Sequence, residues 1–296
     1  MAGGGNDFVV VDNRSGIVED PNRLARIIST RRLSVGADGL ILLDRSARAT
    51  FRMRYFNADG SEAAFCANGT RCAARFAFLN VIAQRHMTIE TGAGTVTADI
   101  VEQDVVLQLG SPRGYLKRQE LSLLNGETAA GSFVMVGVPH YVIQVNGDLW
   151  MLQIGEMSRE IRRHAQLGPE GANVDWVRVL GRDRLDVRTW ERGVEDETLS
   201  CGSGVVASVA VAAFHGLVDS TVSVLTRSGI RYEVSWNRLD AGDGPADSIE
   251  VGAMKIRGDA RLVFKATVTN ETLEGFDEEW VRNPGRQGGP RTSKPV

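Results

Sequence analysis

Two of the three cysteines stand directly before a glycine-containing turn that opens a helical segment. Cys66 lies in FCANGTRC and Cys201 lies in SCGSGVVA. A cysteine in this position lies beside unpaired N–H groups and the positive end of the helix dipole, which lower a thiol pKa and attract a carboxylate. One such turn suggests a nucleophile or a redox thiol. Two such turns suggest a reaction in which one proton leaves one face of a carbon atom while another proton arrives on the opposite face. This reaction inverts the stereochemistry of the carbon and needs no cofactor.

The segments around these cysteines repeat each other at a spacing of 135 residues, the separation of Cys66 and Cys201. The other pairs that coincide at this spacing are Gly69 with Gly204, Glu62 with Glu197, Thr91 with Thr226, Gly94 with Gly229, and Asn57 with Arg192. Each half gives strand, polar turn, Glu, Cys, Gly, helix, strand, glycine turn and strand. The shared order predicts a duplication that sets the two cysteine turns facing each other across a cleft.

The elements that must position these turns are mostly short strands, separated by Gly, Asn and Asp, with few helices. The segment EDPNRLARIIST (19–30) predicts a helix with Asp20 as its cap and Pro21 in its first position. Further helices are predicted after Cys66, near 156–166 and after Cys201. The pattern is that of a mixed α and β protein.

Composition limits the classes of function. The 296 residues are 43% hydrophobic and 24% charged, which is typical of a globular chain with a substantial core. The net charge of −3 argues against nucleic acid or an anionic membrane as a partner. No apolar run is long enough to span a membrane, and no signal segment opens the chain. With three cysteines, a disulfide framework is not expected, and the expected location is cytoplasmic.

Motifs for other chemistries are missing from the sequence. It has no Walker A loop, no dinucleotide-type glycine fingerprint after a strand and no zinc-type Cys/His spacing. Cys66 and Cys72 are six residues apart with no histidine near them, and the chain has only four histidines. We therefore expect neither a cofactor nor a metal.

Five segments closely resemble the diaminopimelate epimerase family, in family order over nearly the whole chain. They are GNDFVVVDNR (5–14), NADGSEAAFCANGTRC (57–72), GVPHYV (137–142), GANVDWV (171–177) and WERGVEDETLSCGSG (190–204). The resemblance implies an α/β fold of the α+β type with two pseudo-symmetric domains, each a β-barrel-like sheet around a central helix, and an active site in the cleft between them. The expected domains are 1–114, completed by a returning strand at about 260–282, and 115–259, followed by a disordered tail at 283–296.

The resemblance also implies a reaction and its residues. The family interconverts LL- and meso-2,6-diaminopimelate without cofactor or metal, for lysine and peptidoglycan-precursor synthesis; a homodimer is a further family-based expectation. By resemblance Cys66 and Cys201 are the acid/base pair, and His140 and Glu191 assist them. Residues expected to bind substrate are Asn6, Asn57, Ala67, Asn68, Asn173, Glu191, Arg192, Gly202 and Ser203. Arg192 suits bidentate capture of the distal carboxylate.

The sequence departs from the family pattern at a few positions. Ala67 replaces the usual glycine after the first cysteine, Val138 stands where many relatives have asparagine, and Gly39 where some have glutamine. Relatives have several more residues, forming a strand, before the first glycine run. The shorter start concerns the edge of the first sheet, whereas Val138 and Gly39 concern recognition of the distal end of the substrate.

Structural interpretations remain open beside the functional ones. The cysteine pair could be small buried hydrophobic residues, and Cys72, inside its helix, is expected to be structural. Arg192 could form a surface ion pair with Glu195 or Asp196. Glu62 and Glu197 are better explained as acidic residues ahead of a helix N-terminus than as catalysts. The remaining alternatives are a loop role for His140 and turn roles for Asn6 and Asn57.

Three other functions also remain open. A related racemase could act on another amino acid, as Val138 permits, although Arg192 would then lack a second carboxylate. An isomerase of the phenazine-biosynthesis type would not need both cysteines. A thiol redox sensor would form a Cys66–Cys201 disulfide, but it leaves Asn173 and Arg192 without a role.

Overall fold

The computed structural model describes residues 1–239, 250–274 and 276. Two compact units make up the described chain. The first comprises Met1–Gln103 and the described residues from Ala260 onward, and the second comprises Asp104–Asp259. The many strands and few helices confirm the predicted α+β class. The tail predicted at 283–296 lies outside the described residues.

The first unit is one sheet with two helices. Its elements are, in chain order, β1 (Ala2–Gly3), β2 (Asn6–Asp12), α1 (Pro21–Ser29), β3 (Gly39–Asp44), β4 (Phe51–Asn57), β5 (Glu62–Ala63), α2 (Ala67–Leu79), β6 (His86–Thr91) and β7 (Gly94–Val101). Strand pairing runs β1–β2–β3–β4–β6–β7, with β5 also on β4; β2–β3 and β4–β6 are parallel and the others antiparallel. Helix α2 contacts β1 to β4 and β7.

The sequence explains both helices of this unit. Helix α1 begins as predicted, because the Asp20 side chain accepts a hydrogen bond from the Arg23 N–H at 2.9 Å and Pro21 occupies the first turn. Helix α2 is buried along most of its length, and its small side chains, Ala73, Ala74 and Ala77, let it approach the strands closely. It is therefore the central helix of its unit.

The second unit is a longer sheet, also with two helices. Its elements are β8 (Asp104–Gly110), β9 (Arg113–Ser122), β10 (Thr128–Val136), β11 (Val138–Gln144), α3 (Gly155–Arg162), β12 (Asn173–Gly181), β13 (Arg184–Glu191), β14 (Asp196–Thr198), α4 (Gly202–Phe214), β15 (Thr221–Thr226), β16 (Arg231–Leu239) and β17 (Glu250–Asp259). Strand pairing runs β9–β10–β11–β12–β13–β15–β16–β17–β8, with β14 also on β13. Helix α4 is apolar and buried nearly all round, and it contacts β10 to β13 and β15 to β17.

The two units share one topology. One series of elements in each unit has the same order and the same parallel and antiparallel pairings as the series in the other unit. The two series are β2, α1, β3, β4, β5, α2, β6, β7 and β11, α3, β12, β13, β14, α4, β15, β16. Helices α2 and α4, and strands β6 and β15, begin and end 135 residues apart, the spacing of the two cysteines. The predicted duplication is thus present in the fold.

The unit boundaries differ from the expected ones. The chain passes to the second unit at Asp104, before the expected change at 114–115, because β8 pairs with β17 and not with β7. The strand expected at about 260–282 is absent from the described residues, where Arg261 makes a single bridge to Ala2 and Leu262, Val263 and Phe264 are exposed. The strand that Arg261 meets, β1, is itself only two residues long.

Candidate active site

Cys66 is the N-cap of α2. Its backbone is extended (φ −147°, ψ 110°), and its Sγ accepts a hydrogen bond from the Gly69 N–H at 3.4 Å. Ala67 begins the helix and lies outside the residues with positive φ, so its methyl group is accommodated where the family has glycine. The N–H groups of Ala67 and Asn68 fall in the first turn, where an α-helix supplies no acceptor for them. This turn can therefore hold a carboxylate beside the thiol.

Asn6 and Asn68, both predicted to bind substrate, lie in one chain of hydrogen bonds. The buried Arg71 donates to Asn68 Oδ1 at 2.7 Å, Asn68 Nδ2 donates to Asn6 Oδ1 at 2.9 Å, and Asn6 Nδ2 donates to Asp38 at 2.9 Å. The order of donors fixes the orientation of both amides. Sequence reasoning missed Arg71 and Asp38, since only the fold brings Asn6 to α2.

Asn57 and Gly39 lie opposite each other at the paired ends of β4 and β3. The Asn57 side chain donates to Ser61 Oγ at 3.0 Å, which is the turn role left open by the sequence; its role toward substrate stays a prediction. A Cβ at Gly39 would lie 2.4 Å from the Phe56 carbonyl oxygen and 2.6 Å from the Tyr55 ring. The glutamine found in some relatives would not fit here without a shift of β4.

Cys201 is the equivalent N-cap in the second unit, before α4, but its surroundings differ. It is buried, and its Sγ lies 3.3 Å from Ser203 Oγ. Burial, followed by the negative charges of Glu191 and Asp175, raises the pKa of the Cys201 thiol well above its usual value. Gly202 and Ser203 open the helix and supply first-turn N–H groups, as Ala67 and Asn68 do in the first unit.

His140 and Asn173 are neighbours across the parallel pair β11–β12. His140 is completely buried, and its Nδ1 lies 2.7 Å from Oδ2 of Asp175, which is also completely buried. Asn173 Oδ1 accepts the backbone N–H of Arg192 at 2.7 Å, which fixes the turn after β13. The loop interpretation of His140 is wrong, because the residue lies within a buried strand.

Glu191 and Arg192 end β13 on this side of the unit. Burial raises the pKa of Glu191 above its usual value, and its charge acts on Cys201. Arg192 Nη1 forms an ion pair with Glu170 at 2.7 Å, in which Glu170 is 78% exposed. The alternative partner Glu195 binds Arg162 and Arg163 instead. Arg192 thus forms an ion pair, but with Glu170 and not with either residue of the alternative left open by the sequence.

Glu62 and Glu197 occupy equivalent positions in the two units, and an arginine holds each of them in place. Glu62 accepts two hydrogen bonds from Arg54, at 2.9 and 2.7 Å, and Glu197 accepts two from Arg188, at 2.7 and 2.8 Å. Both pairs join a short strand to its neighbour, which agrees with a structural role. Cys72 is completely buried inside α2, also as expected for a structural residue.

The structure thus groups the predicted residues by unit. Asn6, Ala67 and Asn68 lie near Cys66 in the first unit, whereas the second unit holds His140, Asn173, Glu191, Arg192, Gly202 and Ser203 with Cys201. Within the described residues, no cluster of three or more His, Cys, Asp or Glu side chains is arranged to hold a metal ion. The helices in the same part of the chain are too short or too polar to cross a membrane.

Solved structures with this fold include epimerases. The chain matches a hydroxyproline epimerase from Agrobacterium vitis with a TM-score of 0.64 and 14% identity, over 87% of each chain. It matches a PhzF-family phenazine biosynthesis protein from Bacillus anthracis with a TM-score of 0.61 and 16% identity, over 88% of this chain and 92% of that one. The fold is the duplicated α+β fold of such epimerases, built here around two cysteine-capped helices.

Sequence comparison identifies the family. Residues 1–114 and 132–243 match the diaminopimelate epimerase family. A diaminopimelate epimerase from Chlorobaculum tepidum is 37% identical over 273 residues, covering 91% of this chain and all of that protein. The chain therefore belongs to the diaminopimelate epimerase family and is an isomerase.

Proposed function

We propose that this chain interconverts LL- and meso-2,6-diaminopimelate by moving a proton at the α-carbon between two cysteines, in lysine and peptidoglycan-precursor synthesis. The observation that carries the proposal is the equivalence of Cys66 and Cys201. Each caps the central helix of its unit, at the same place in a duplicated topology. Membership of the family supports the substrate.

Two thiols in different protonation states perform the inversion. The thiolate takes the α-proton and becomes a thiol, while the thiol on the opposite face of the α-carbon gives its proton and becomes a thiolate. The first-turn N–H groups beside each cysteine bind the reacting carboxylate and stabilise the negative charge that develops on it in the transition state. Neither step needs a cofactor or a metal in this proposal.

The surroundings of Cys201 suggest which cysteine begins as the acid. Burial and the charges of Glu191 and Asp175 favour its neutral thiol. In the first unit, a buried cation, Arg71, belongs to the first turns of α2. We infer that the substrate-free enzyme holds Cys201 as the thiol and Cys66 as the base. The reverse reaction then begins from the enzyme form with the opposite protonation.

The rest of the substrate needs a site of its own. Asn6, Asn57, Asn173 and Arg192 are the residues proposed to hold it, with the Arg192 guanidinium binding the distal carboxylate through two N–H groups. Glu191 binds an ammonium group of the substrate or alters the pKa of the Cys201 thiol, and His140 assists the two cysteines. A guanidinium here favours a substrate with a second carboxylate over a simple amino acid.

The experiment is proton exchange at the α-carbon of LL-diaminopimelate, followed by NMR in D₂O with dithiothreitol and no added cofactor. We expect deuterium entry with formation of the meso isomer, nearly lost in Cys66→Ala and in Cys201→Ala. Cys72→Ala is the matched control and should keep most of the activity, because this thiol lies in the core. Exchange that survives either single replacement refutes the two-cysteine mechanism, whereas silence with this substrate but exchange with another amino acid refutes the substrate.

The proposal also includes a setting for the enzyme, namely a cytoplasmic homodimer. The location derives from the small number of cysteines, and the dimer derives from the family resemblance. Sedimentation velocity of the purified chain tests the dimer directly, and a monomer that retains full activity contradicts it. Cell fractionation tests the location.

A further inference from the structure

Three buried polar side chains of the second unit form a chain that ends beside the second cysteine turn. His140 Nδ1 lies 2.7 Å from Asp175 Oδ2, and Thr189 Oγ1 donates to Asp175 Oδ1 at 2.6 Å. His140 and Asp175 are fully buried and Thr189 is 2% exposed. The three come from β11, β12 and β13, which are adjacent in the sheet. Asp175 and Thr189 were not among the predicted site residues.

When the His140 ring carries a single proton, the hydrogen bonds around it determine which nitrogen holds that proton. An ionised carboxylate can only accept, and Thr189 already donates to one oxygen of Asp175. The other oxygen therefore accepts from Nδ1–H, and Nε2 keeps its lone pair. This Nε2 is buried and has no partner among the described residues. A buried acceptor of this kind needs a hydrogen-bond donor, and the reacting complex can supply one.

Packing restrains the Asp175 carboxylate in addition to its hydrogen bonds. A Cβ added to Gly204 would lie 2.2 Å from Asp175 Oδ1 and 2.8 Å from Thr189 Oγ1. Gly204 lies in the first turn of α4, the helix that Cys201 caps. The carboxylate is thus enclosed by the strand that carries His140, the strand that carries Thr189 and the catalytic turn. It cannot change orientation without disturbing that turn.

We propose that Asp175, supported by Thr189, is a positioning residue that holds His140 in the Nδ1–H tautomer with Nε2 as a fixed acceptor for the reacting complex. The inference rests on the proposed function, because the group that donates to Nε2 is an N–H or S–H group of that complex. Orientation of a catalytic imidazole by a buried carboxylate is a general device in enzymes. Here the second hydrogen bond, from Thr189, keeps the carboxylate itself from rotating.

The first test needs no substrate and so separates this inference from the proposed function. Nitrogen-15 NMR of the full chain, with the His140 signals assigned through His140→Gln, reports which ring nitrogen carries the proton. We expect a protonated Nδ1 and an unprotonated Nε2. In Asp175→Asn the amide keeps its oxygen toward the Thr189 hydroxyl and turns its NH₂ toward Nδ1. The ring proton should then move to Nε2. An Nε2–H tautomer in the unaltered chain, or no change in Asp175→Asn, overturns the inference.

The second test is turnover of diaminopimelate by the same variants. Asp175→Asn should lower kcat by roughly 10²–10⁴-fold, the usual range for a general acid–base group, with KM changed only a few-fold. Thr189→Val should lose part of kcat, and Thr189→Ser should restore it, since serine keeps the hydroxyl. The two Thr189 variants also test the positioning role of Asp175 if Asp175→Asn does not fold. Equal kcat in the two Thr189 variants, or unchanged kcat in Asp175→Asn, refutes the role. A tautomer switch in a chain that never turns over diaminopimelate refutes the substrate and leaves the positioning intact.

Discussion

Replacing Arg192 by lysine should separate substrate binding from chemistry. The Arg192 backbone is held by Asn173, and among the described residues its side chain forms an ion pair with Glu170, which is 78% exposed. An exposed pair of this kind contributes about 0–1 kcal/mol to folding, so Arg192→Lys should fold normally. Lysine keeps the charge but loses the fork of parallel N–H groups that matches a carboxylate.

The size of the effect follows from the hydrogen bonds lost. One hydrogen bond to a charged group contributes about 1.5–3 kcal/mol, which corresponds to roughly 10–150-fold in affinity. Because the distal carboxylate is remote from the reacting carbon, the loss should fall mainly on KM, with kcat reduced a few-fold at most. Steady-state epimerisation of LL-diaminopimelate, coupled to detection of the meso isomer, measures both constants.

Two controls make the result decisive. Arg163→Lys alters an exposed arginine of the same unit that pairs with Glu195 and should change neither constant. Glu170→Gln removes the carboxylate now paired with Arg192 and should lower KM slightly, because the substrate no longer competes with it. An unchanged KM in Arg192→Lys, or a fall in kcat with KM constant, would show that Arg192 does not bind the distal carboxylate.

Three further predictions concern the second unit. Glu191→Gln removes a negative charge that raises the pKa of the Cys201 thiol, so this pKa should fall. Alkylation of Cys201 by iodoacetamide at pH 8, measured by peptide mass spectrometry, should then accelerate by up to about tenfold for each unit by which the pKa falls. Slower alkylation would contradict the assigned cause. Gly204→Ala places a methyl group against Asp175 and should cost about 1–3 kcal/mol of unfolding free energy in urea titrations; a neutral effect would mean that the turn can shift. Arg188→Met removes the two hydrogen bonds that Arg188 donates to the largely buried Glu197, which keeps its ion pair with Arg227; the change should cost about 1–3 kcal/mol by the same measurement, and no loss would refute a tight pair.

Much of the fold and the placing of both cysteine turns could be predicted from the sequence. The duplication follows from residues that coincide at one spacing, and both cysteine caps follow from a cysteine placed before a glycine turn. Such signals are local, so they do not depend on knowing which strands pair. The cap of α1 at Asp20 was predictable for the same reason.

The polar partners were not predictable, because they depend on strand register. Glu170 reaches Arg192 only through the loop before β12, and Asp175 meets His140 only because β11 and β12 run parallel in one register. A signal for Asp175 did exist in NVDWV, where a lone carboxylate interrupts an apolar strand and therefore requires a buried partner. The strand expected at about 260–282 came from the family resemblance and not from a pattern in these residues, and the described part of that range contains only the bridge between Arg261 and Ala2.

The discontinuous first unit has a consequence for biosynthesis. Its α2 residue Arg75 donates to the Ala260 carbonyl at 2.9 Å, and Ala2 and Arg261 exchange two backbone hydrogen bonds, so residues that lie beyond the second unit in the chain bind both its central helix and its first strand. On the ribosome, the second unit has all of its residues once Asp259 has left the exit tunnel. The earlier-made unit must wait for the chain that follows. Domains usually fold in order from the N-terminus, but here the later-made unit can finish first, and the last contacts of the earlier-made unit form after it.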